Sequence, residues 1–250
     1  SSKYILVDST GSSEQTFQAL KRTDVTHVIT KGGIQLQNPQ NWFMDYTELI
    51  DFDGSGMDVP TATSLANFFK NASKLESFTA PSGGWNTTNI TDISYFMYGT
   101  ALTHLDALTP DGGNGWNVSN VKNAQYAFAN SPKLFDVDAL EKWAFVSSVA
   151  DPIDLTGFLS GCTALEVASF LKDWVLPGAN LSEFFANSTA LRTVDIHNLD
   201  MTDQIVVDMF AGCSSLGDAT KGGFIRLGRY AKLTDTGISS APNRTTRDGM

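Results

Sequence analysis

The sequence has 250 residues, of which 42% are apolar, and its formal charge is −10. This composition suffices to bury one sizeable core and excludes a disordered or collagen-like chain. A pI near 4.6 argues against nucleic acid as a partner, and no apolar run approaches the roughly 18 residues of a membrane span, so no membrane insertion is expected.

The N-terminal residues 1–41 are predicted to form an α/β cap. Residues 3–8 favour a strand, and a capping box at Ser12 predicts a helix that runs to Lys21. Two short apolar segments in residues 26–37 flank a Gly-Gly pair, which predicts a β-hairpin. Such a cap covers the open end of a repetitive core.

Residues 42–220 contain one unit written seven times, in which an apolar and usually aromatic anchor is followed six residues later by leucine. The pairs are Phe43/Leu49, Phe69/Leu75, Phe96/Leu102, Phe128/Leu134, Leu159/Leu165, Phe185/Leu191 and Phe210/Leu216. The anchors lie 26, 27, 32, 31, 26 and 25 residues apart. Units of this size cannot bury their apolar residues alone, so stacking into a solenoid is expected.

Two positions within the unit predict its local structure. The second residue after the anchor is Asn or Gly in five units, with Asp45 and Tyr98 as exceptions. Asn and Gly tolerate a left-handed backbone, which predicts that a short helical turn ends there. An apolar residue three positions after the leucine, such as Phe52 or Phe78, predicts one short strand per coil in a parallel sheet.

Residues 221–250 differ from the rest in charge. They hold six of the 17 Lys and Arg residues against two acids, whereas residues 1–220 hold 11 basic and 25 acidic side chains. Phe224–Leu227 is predicted to close the sheet as a strand, and the polar residues after it form an extended tail. That basic tail either docks on a neighbouring acidic surface or is solvated.

The repeat resembles a known family. Residues 85–96 (WNTTNITDISYF) and 211–216 (AGCSSL) resemble the BspA-like leucine-rich repeat of bacterial surface proteins, and residues 116–121 and 160–165 match other portions of its unit. The resemblance covers about residues 42–220. It implies an α/β protein, a leucine-rich-repeat-like solenoid of about seven coils with a parallel β-sheet, here with an α/β N-terminal cap and an extended C-terminal tail.

The same resemblance bears on function. The family is associated with cell surfaces, adhesion and host interaction, and similar repeats occur in proteins of mycoplasmas, protists and bacterial viruses. The Trp of the family's unit is absent from the first, sixth and seventh units, and residues 1–41 and 221–250 have no counterpart in it.

Two places in the sequence suggest metal or thiol chemistry. Asp51, Asp53 and Ser55 have the spacing of calcium-loop ligands, but the twelfth position is Ala62 instead of Glu and Phe52 occupies a core position of the repeat. Neither a metal nor another cofactor is therefore expected. The two cysteines occupy equivalent positions two coils apart, too far for a disulfide, which predicts two free, buried thiols.

Catalysis is not expected, because no nucleophile, dinucleotide or zinc-protease motif is present. The predicted function is display of a non-enzymatic scaffold outside the cell or on its surface, where it binds a protein or glycan ligand. The alternative is a structural or decoration subunit of an assembly such as a virion, with the basic tail docked on a neighbouring subunit. The residues predicted to contact partners are Trp85, Trp116, Asp106, Asp138, Asp195, Arg229, Arg244 and Arg247.

Overall fold

The computed structural model describes residues 4–7, 22–110, 116–218, 220 and 222–238. Short strands and 3₁₀ helices alternate with tight turns. The strands are β1 (Tyr4–Val7), β2 (His27–Thr30), β3 (Ile34–Gln35), β4 (Asp51–Asp53), β5 (Met57–Asp58), β6 (Ser77–Thr79), β7 (Val167–Ala168), β8 (Thr193–Ile196) and β9 (Phe224–Leu227). The 3₁₀ helices are η1 (Asp106–Leu108), η2 (Asp138–Lys142) and η3 (Phe170–Asp173).

All strand pairs are parallel, and the chain forms a parallel β-sheet solenoid of about six turns. Strands pair in the orders β1-β2-β4-β6, β3-β5 and β7-β8-β9. Between β6 and β7 neighbouring coils are joined by a parallel β-bridge between His104 and Asp136. η1 begins two residues after His104, and η2 begins two residues after Asp136. These two 3₁₀ helices lie in the two longest units.

Every unit turns at two left-handed residues that lie four positions apart. These pairs are Asn41/Asp45, Asn67/Asn71, Tyr95/Gly99, Tyr126/Asn130, Gly157/Gly161, Glu183/Asn187 and Asp208/Gly212. Backbone hydrogen bonds join each turn to the next, as from the Phe43 N–H to the Phe68 carbonyl at 2.8 Å. The left-handed turn position is thus confirmed in all units but the third.

In the third unit the predicted alignment is wrong by one residue. The left-handed residue is Gly99, with φ of 73°, and not Tyr98. Met97 therefore occupies the anchor position, and Phe96 precedes it as the second large apolar residue. Both side chains are buried, so burial alone does not distinguish the two alignments.

The core is a continuous column of aromatic and aliphatic side chains. Phe43, Phe52, Phe68 and Phe69 are packed edge to face or stacked, with ring centroids 4.6 to 6.0 Å apart. Such packing buries in each coil the apolar surface that one unit cannot cover by itself. The shared core explains why the repeat is built on Phe and Leu.

The predicted hairpin at residues 26–37 is wrong. β2 pairs with β1 and β4, whereas β3 pairs with β5, and both pairings are parallel. Gly32 and Gly33 have φ of 87° and 69°, so they turn the chain from one sheet to the other around the solenoid. β1 lies where the sequence predicts a strand, and the helix predicted for residues 12–21 lies outside the described residues.

Candidate functional site

Several acidic residues lie close together around the starts of η1 and η2. Phe135 is 58% exposed and is followed by Asp136, which pairs across the bridge with His104 of the preceding coil. The backbone N–H of Asp138 donates to the Asp136 carboxylate at 3.0 Å, which fixes the start of η2. We refer to Asp106, Phe135, Asp136, Asp138 and Glu141 as the acidic sheet face.

The charges of the acidic sheet face repel one another. Burial raises the pKa of the Asp138 carboxyl, and the neighbouring carboxylates Asp136, Glu141 and Asp106 raise it further. Asp106 has a 76% exposed side chain and lies 3.9 Å from the His104 imidazole. A cationic ligand would relieve this repulsion, because an opposite charge favours the ionised carboxylate.

A surface cavity of about 300 Å³ adjoins this face. Asp106 and Lys142 contribute opposite charges to its wall, and the remainder is formed by small or rigid residues, among them Gly83, Gly84 and Pro110. The backbone is therefore accessible in the cavity, where few side chains cover it. A ligand that contacts the acidic sheet face can extend into this cavity.

Asp106, Asp138 and Asp195 are predicted contact residues that each follow the leucine of their unit by four positions, but their surroundings differ. Asp106 and Asp138 begin η1 and η2, which are in contact with each other. Asp195 lies apart on β8 with only 14% of its side chain exposed. Burial opposes its ionisation, but hydrogen bonds from His197 and the charge of Arg226 hold the pKa of Asp195 below its ordinary value.

Trp85 and Trp116 do not form a contact surface, so that prediction is wrong for both. Their side chains are 0% and 1% exposed. The rings lie 6.1 Å apart in neighbouring coils, and the Trp85 indole N–H donates to the Gly54 carbonyl at 3.3 Å. Both tryptophans belong to the hydrophobic core of the solenoid.

Of the predicted basic contacts, Arg229 lies in the described part of the chain. Its guanidinium is 5.6 Å from the centroid of the Tyr230 ring. Arg244 and Arg247 lie outside the described residues.

The two carboxylates of the calcium-like segment, Asp51 and Asp53, form hydrogen bonds with different groups of the protein. Asp51 is hydrogen-bonded to the His27 imidazole at 2.7 Å, and Asp53 accepts from the Ser55 N–H at 3.0 Å and the Thr79 hydroxyl at 3.1 Å. Hydrogen bonds, first that of Ser55, lower the pKa of Asp53. Within the described ranges no group of three His, Cys, Asp or Glu side chains could hold a metal ion.

The half-buried side chains of Tyr95, Tyr98 and Tyr126 form a further cluster. The Tyr95 and Tyr126 rings are stacked at 5.2 Å, and Lys70 lies 4.0 Å above Tyr95. Burial, followed by the hydrogen bond to Glu183, raises the pKa of Tyr126 to about 12. A Cβ on Gly157 would lie 2.2 Å from the Tyr126 ring, so these ring faces pack against their own chain and do not offer a platform to a ligand.

Both cysteines are free, as the sequence predicts, but only Cys162 is fully buried and Cys213 is half-buried. Their thiols donate to the carbonyls of Phe128 and Phe185. Burial raises the pKa of both thiols to about 12.

We therefore expect native protein to resist alkylation, because the thiolate is the reacting form. Iodoacetamide labelling followed by mass spectrometry should show slow modification of Cys213 and none of Cys162 until the chain is denatured. A Cys213→Ser variant serves as the control. Rapid labelling of Cys162 in native protein would contradict the burial described above.

Two features of the surface were not found from the sequence. Phe135 directly follows the repeat leucine, at a position that is charged in three other units (Glu76, Glu166 and Arg192) and apolar only in the first (Ile50). An aromatic residue at this position was therefore a weak but detectable signal. Phe224 and Leu227 were predicted only as a closing strand, yet they are 53% and 42% exposed. Alignment of the repeats identifies the core positions, because these are apolar in every unit. It identifies an exposed apolar residue only where that residue differs from its equivalents in the other units.

A leucine-rich repeat protein of known structure from Bacteroides ovatus is similar, with 14% identity and a TM-score of 0.35. The match covers 82% of this chain and 61% of that chain, which is less than two thirds of its length. No curated protein matches the sequence.

None of the helices in the described part of the chain is long and apolar enough to cross a membrane. The model of one protein family matches residues 15–143 and 100–221, which is most of the sequence. The chain therefore belongs to the family described as Mycoplasma protein of unknown function, DUF285.

Proposed function

We propose that the protein is a non-enzymatic repeat scaffold, displayed on an outer surface, that binds a basic protein ligand through the acidic sheet face. The observation that carries this proposal is the 58% exposure of Phe135 beside Asp136 and Asp138. An exposed aromatic ring supplies apolar contact area, and the surrounding carboxylates select a cationic partner. The resemblance to the BspA-like repeats of bacterial surface proteins supports display at a cell surface. The proposed scaffold has about seven coils and an N-terminal cap.

Rigidity supports this proposal. The core residues of successive coils are buried, and η1 and η2 present their acidic residues at fixed positions on the stack. A preordered surface loses little conformational entropy when it binds. Binding therefore requires no movement of the scaffold.

The test measures the affinity of an arginine-rich polypeptide for wild-type protein and for two matched variants. We expect the Phe135→Ala/Asp136→Asn double variant to bind the probe about five- to thirtyfold more weakly than wild type, since loss of one good interface contact costs roughly 1–2 kcal/mol. The control is Val175→Ala/Asp151→Asn, which removes an exposed apolar residue and an exposed carboxylate from elsewhere. Calorimetry that gives equal affinities for both variants would reject the acidic sheet face as the site.

A second candidate function is a structural subunit of a larger assembly, such as a virion. It is favoured by exposed apolar residues in β9 and just after it. Phe224, Leu227 and Tyr230 are 53%, 42% and 53% exposed. Residues of this kind on a solenoid end suit contact with another subunit.

A further inference from the structure

We propose that His104 makes binding at the acidic sheet face depend on pH, so that a cationic ligand is held at neutral pH and released as the pH falls below about 6. This inference rests on the proposed function and adds its regulation. The His104 side chain is 51% exposed, and the residue forms a β-bridge with Asp136 of the acidic sheet face. Histidine is the side chain whose charge ordinarily changes in the physiological pH range, so a positive charge arises beside this face on mild acidification.

The His104 imidazole lies close to a carboxylate without being hydrogen-bonded to it. Its Nδ1 shares a hydrogen bond of 3.0 Å with the Thr103 hydroxyl. Its Nε2 lies 3.9 Å from the Asp106 carboxylate, which is beyond hydrogen-bond distance but within range of an ion pair. Because half of the side chain is exposed, the imidazole exchanges its proton directly with solvent. Protonation places a positive charge next to a carboxylate of the acidic sheet face.

The charged groups around His104 are mainly acidic. The residues after it and the coil paired with it carry four carboxylates, those of Asp106, Asp136, Asp138 and Glu141. Lys142 of η2 faces Asp106 across the cavity and stays charged over this pH range. In the preceding coil, Glu76 is paired with Lys133 at 2.7 Å, and Ser77 of β6, equivalent to His104, has no charge. A change of one unit at His104 is therefore a large change in the local charge.

The direction of the effect follows from these charges. With His104 neutral, the carboxylates attract a cationic ligand, whereas protonated His104 repels the ligand and competes with it for Asp106. Protonation of Asp138 acts in the same direction at lower pH, since burial and then the neighbouring carboxylates raise the pKa of this group. Variants at His104 separate the two contributions.

The other two histidines of the sequence are engaged elsewhere. His27 is hydrogen-bonded to Asp51 at 2.7 Å, and His197 is hydrogen-bonded to Asp195 at 2.6 Å. Their side chains are 19% and 28% exposed. Neither aspartate belongs to the acidic sheet face, so His197 provides a matched control for His104.

Calorimetric titration of the full chain with the arginine-rich polypeptide, at about pH 7.5 and about pH 5.5, tests the inference, because arginine keeps its charge at both. Wild type should bind about two- to fivefold more weakly at the lower pH, the effect of one exposed charge. His104→Gln, which is always neutral, should keep most of its affinity, and His104→Lys, which is always charged, should bind weakly at both pH values. His197→Gln should behave as wild type. Circular dichroism checks that each variant is folded.

Proton release provides a second measurement, because a ligand that favours neutral His104 displaces its proton on binding. Heats of binding measured in two buffers of different ionisation enthalpy should show proton release from wild type near neutral pH, and less from His104→Gln. If wild type binds equally well at both pH values, or if His104→Gln loses as much affinity as wild type, the inference is wrong while the proposed function stands. If the Phe135→Ala/Asp136→Asn variant binds the probe as tightly as wild type at neutral pH, the acidic sheet face is not the site, and both are overturned.

Discussion

Replacing Trp85 with alanine is expected to lower the free energy of unfolding by about 3–5 kcal/mol, the usual cost of removing a buried tryptophan. Its side chain is fully buried. The ring lies 5.5 Å from Phe68, 5.3 Å from Phe78 and 6.1 Å from Trp116, so its loss leaves a cavity shared by neighbouring coils. Urea unfolding monitored by circular dichroism measures the change.

Two further variants separate burial from other causes. Trp85→Phe keeps most of the apolar contact but loses the hydrogen bond to the Gly54 carbonyl, so we expect an intermediate loss. Phe135→Ala removes an exposed ring and should change stability by less than about 0.5 kcal/mol. If Trp85→Ala unfolds at the same urea concentration as wild type, the indole is not a core residue.

Gly56→Ala is expected to destabilise the first coils by about 2–3 kcal/mol, because a methyl group there has no room. Its Cβ would lie 2.4 Å from the carbonyl carbon and oxygen of Thr30 and 2.5 Å from the Lys31 Cα. These are backbone atoms, which cannot move aside as a flexible side chain can. The same glycine donates its N–H to the Thr30 hydroxyl at 2.9 Å and accepts from the Ile34 N–H at 2.8 Å.

The matched control is Gly83→Asn. Gly83 has φ of 91°, but a Cβ at this position would have no other atom within 4 Å, so only the backbone conformation is constrained. Asn adopts left-handed conformations more readily than other residues, and the larger side chain should therefore cost less than the single methyl at Gly56. Thermal unfolding in which Gly83→Asn is the more damaged protein would show that conformation, and not space, dominates at these glycines.

The stacked architecture was predictable because burial repeats with the unit. The anchors recur at 25 to 32 residues. The anchors and their leucines are buried in the core, except for Leu216, which is partly buried and packs against it. The alignment of the third unit failed because Phe96 and Met97 are both apolar and both buried. The left-handed backbone of Gly99 distinguishes them. Gly99 is the second residue after Met97 and fits the Asn or Gly pattern of the other units, but the six-residue spacing to Leu102 favoured Phe96 as the anchor.

The candidate site was predicted less well. Asp106 and Asp138 were found because they recur at one repeat position, but Asp195 at that position is engaged by His197 and Arg226. Trp85 and Trp116 were predicted to contact partners, but both are buried. The sequence does not show whether their side chains point into the core or out of it. An aromatic residue such as Phe135 does not recur at the same position in other units. The repeat pattern alone therefore does not predict that its side chain is exposed.

The tight turns also determine how the molecule carries load. Each turn is bonded mainly to the turns directly before and after it, as the Phe128 N–H is to the Phe158 carbonyl at 3.0 Å. A pull on residues 235–236 therefore acts first on the bonds that their carbonyls accept from the Asp208 and Phe210 N–H groups. It then acts on the bonds of β9 to β8, and it reaches earlier coils only after these open. A ligand held on the acidic sheet face, several coils away, would remain on folded protein while the end coil unravels and dissipates the force.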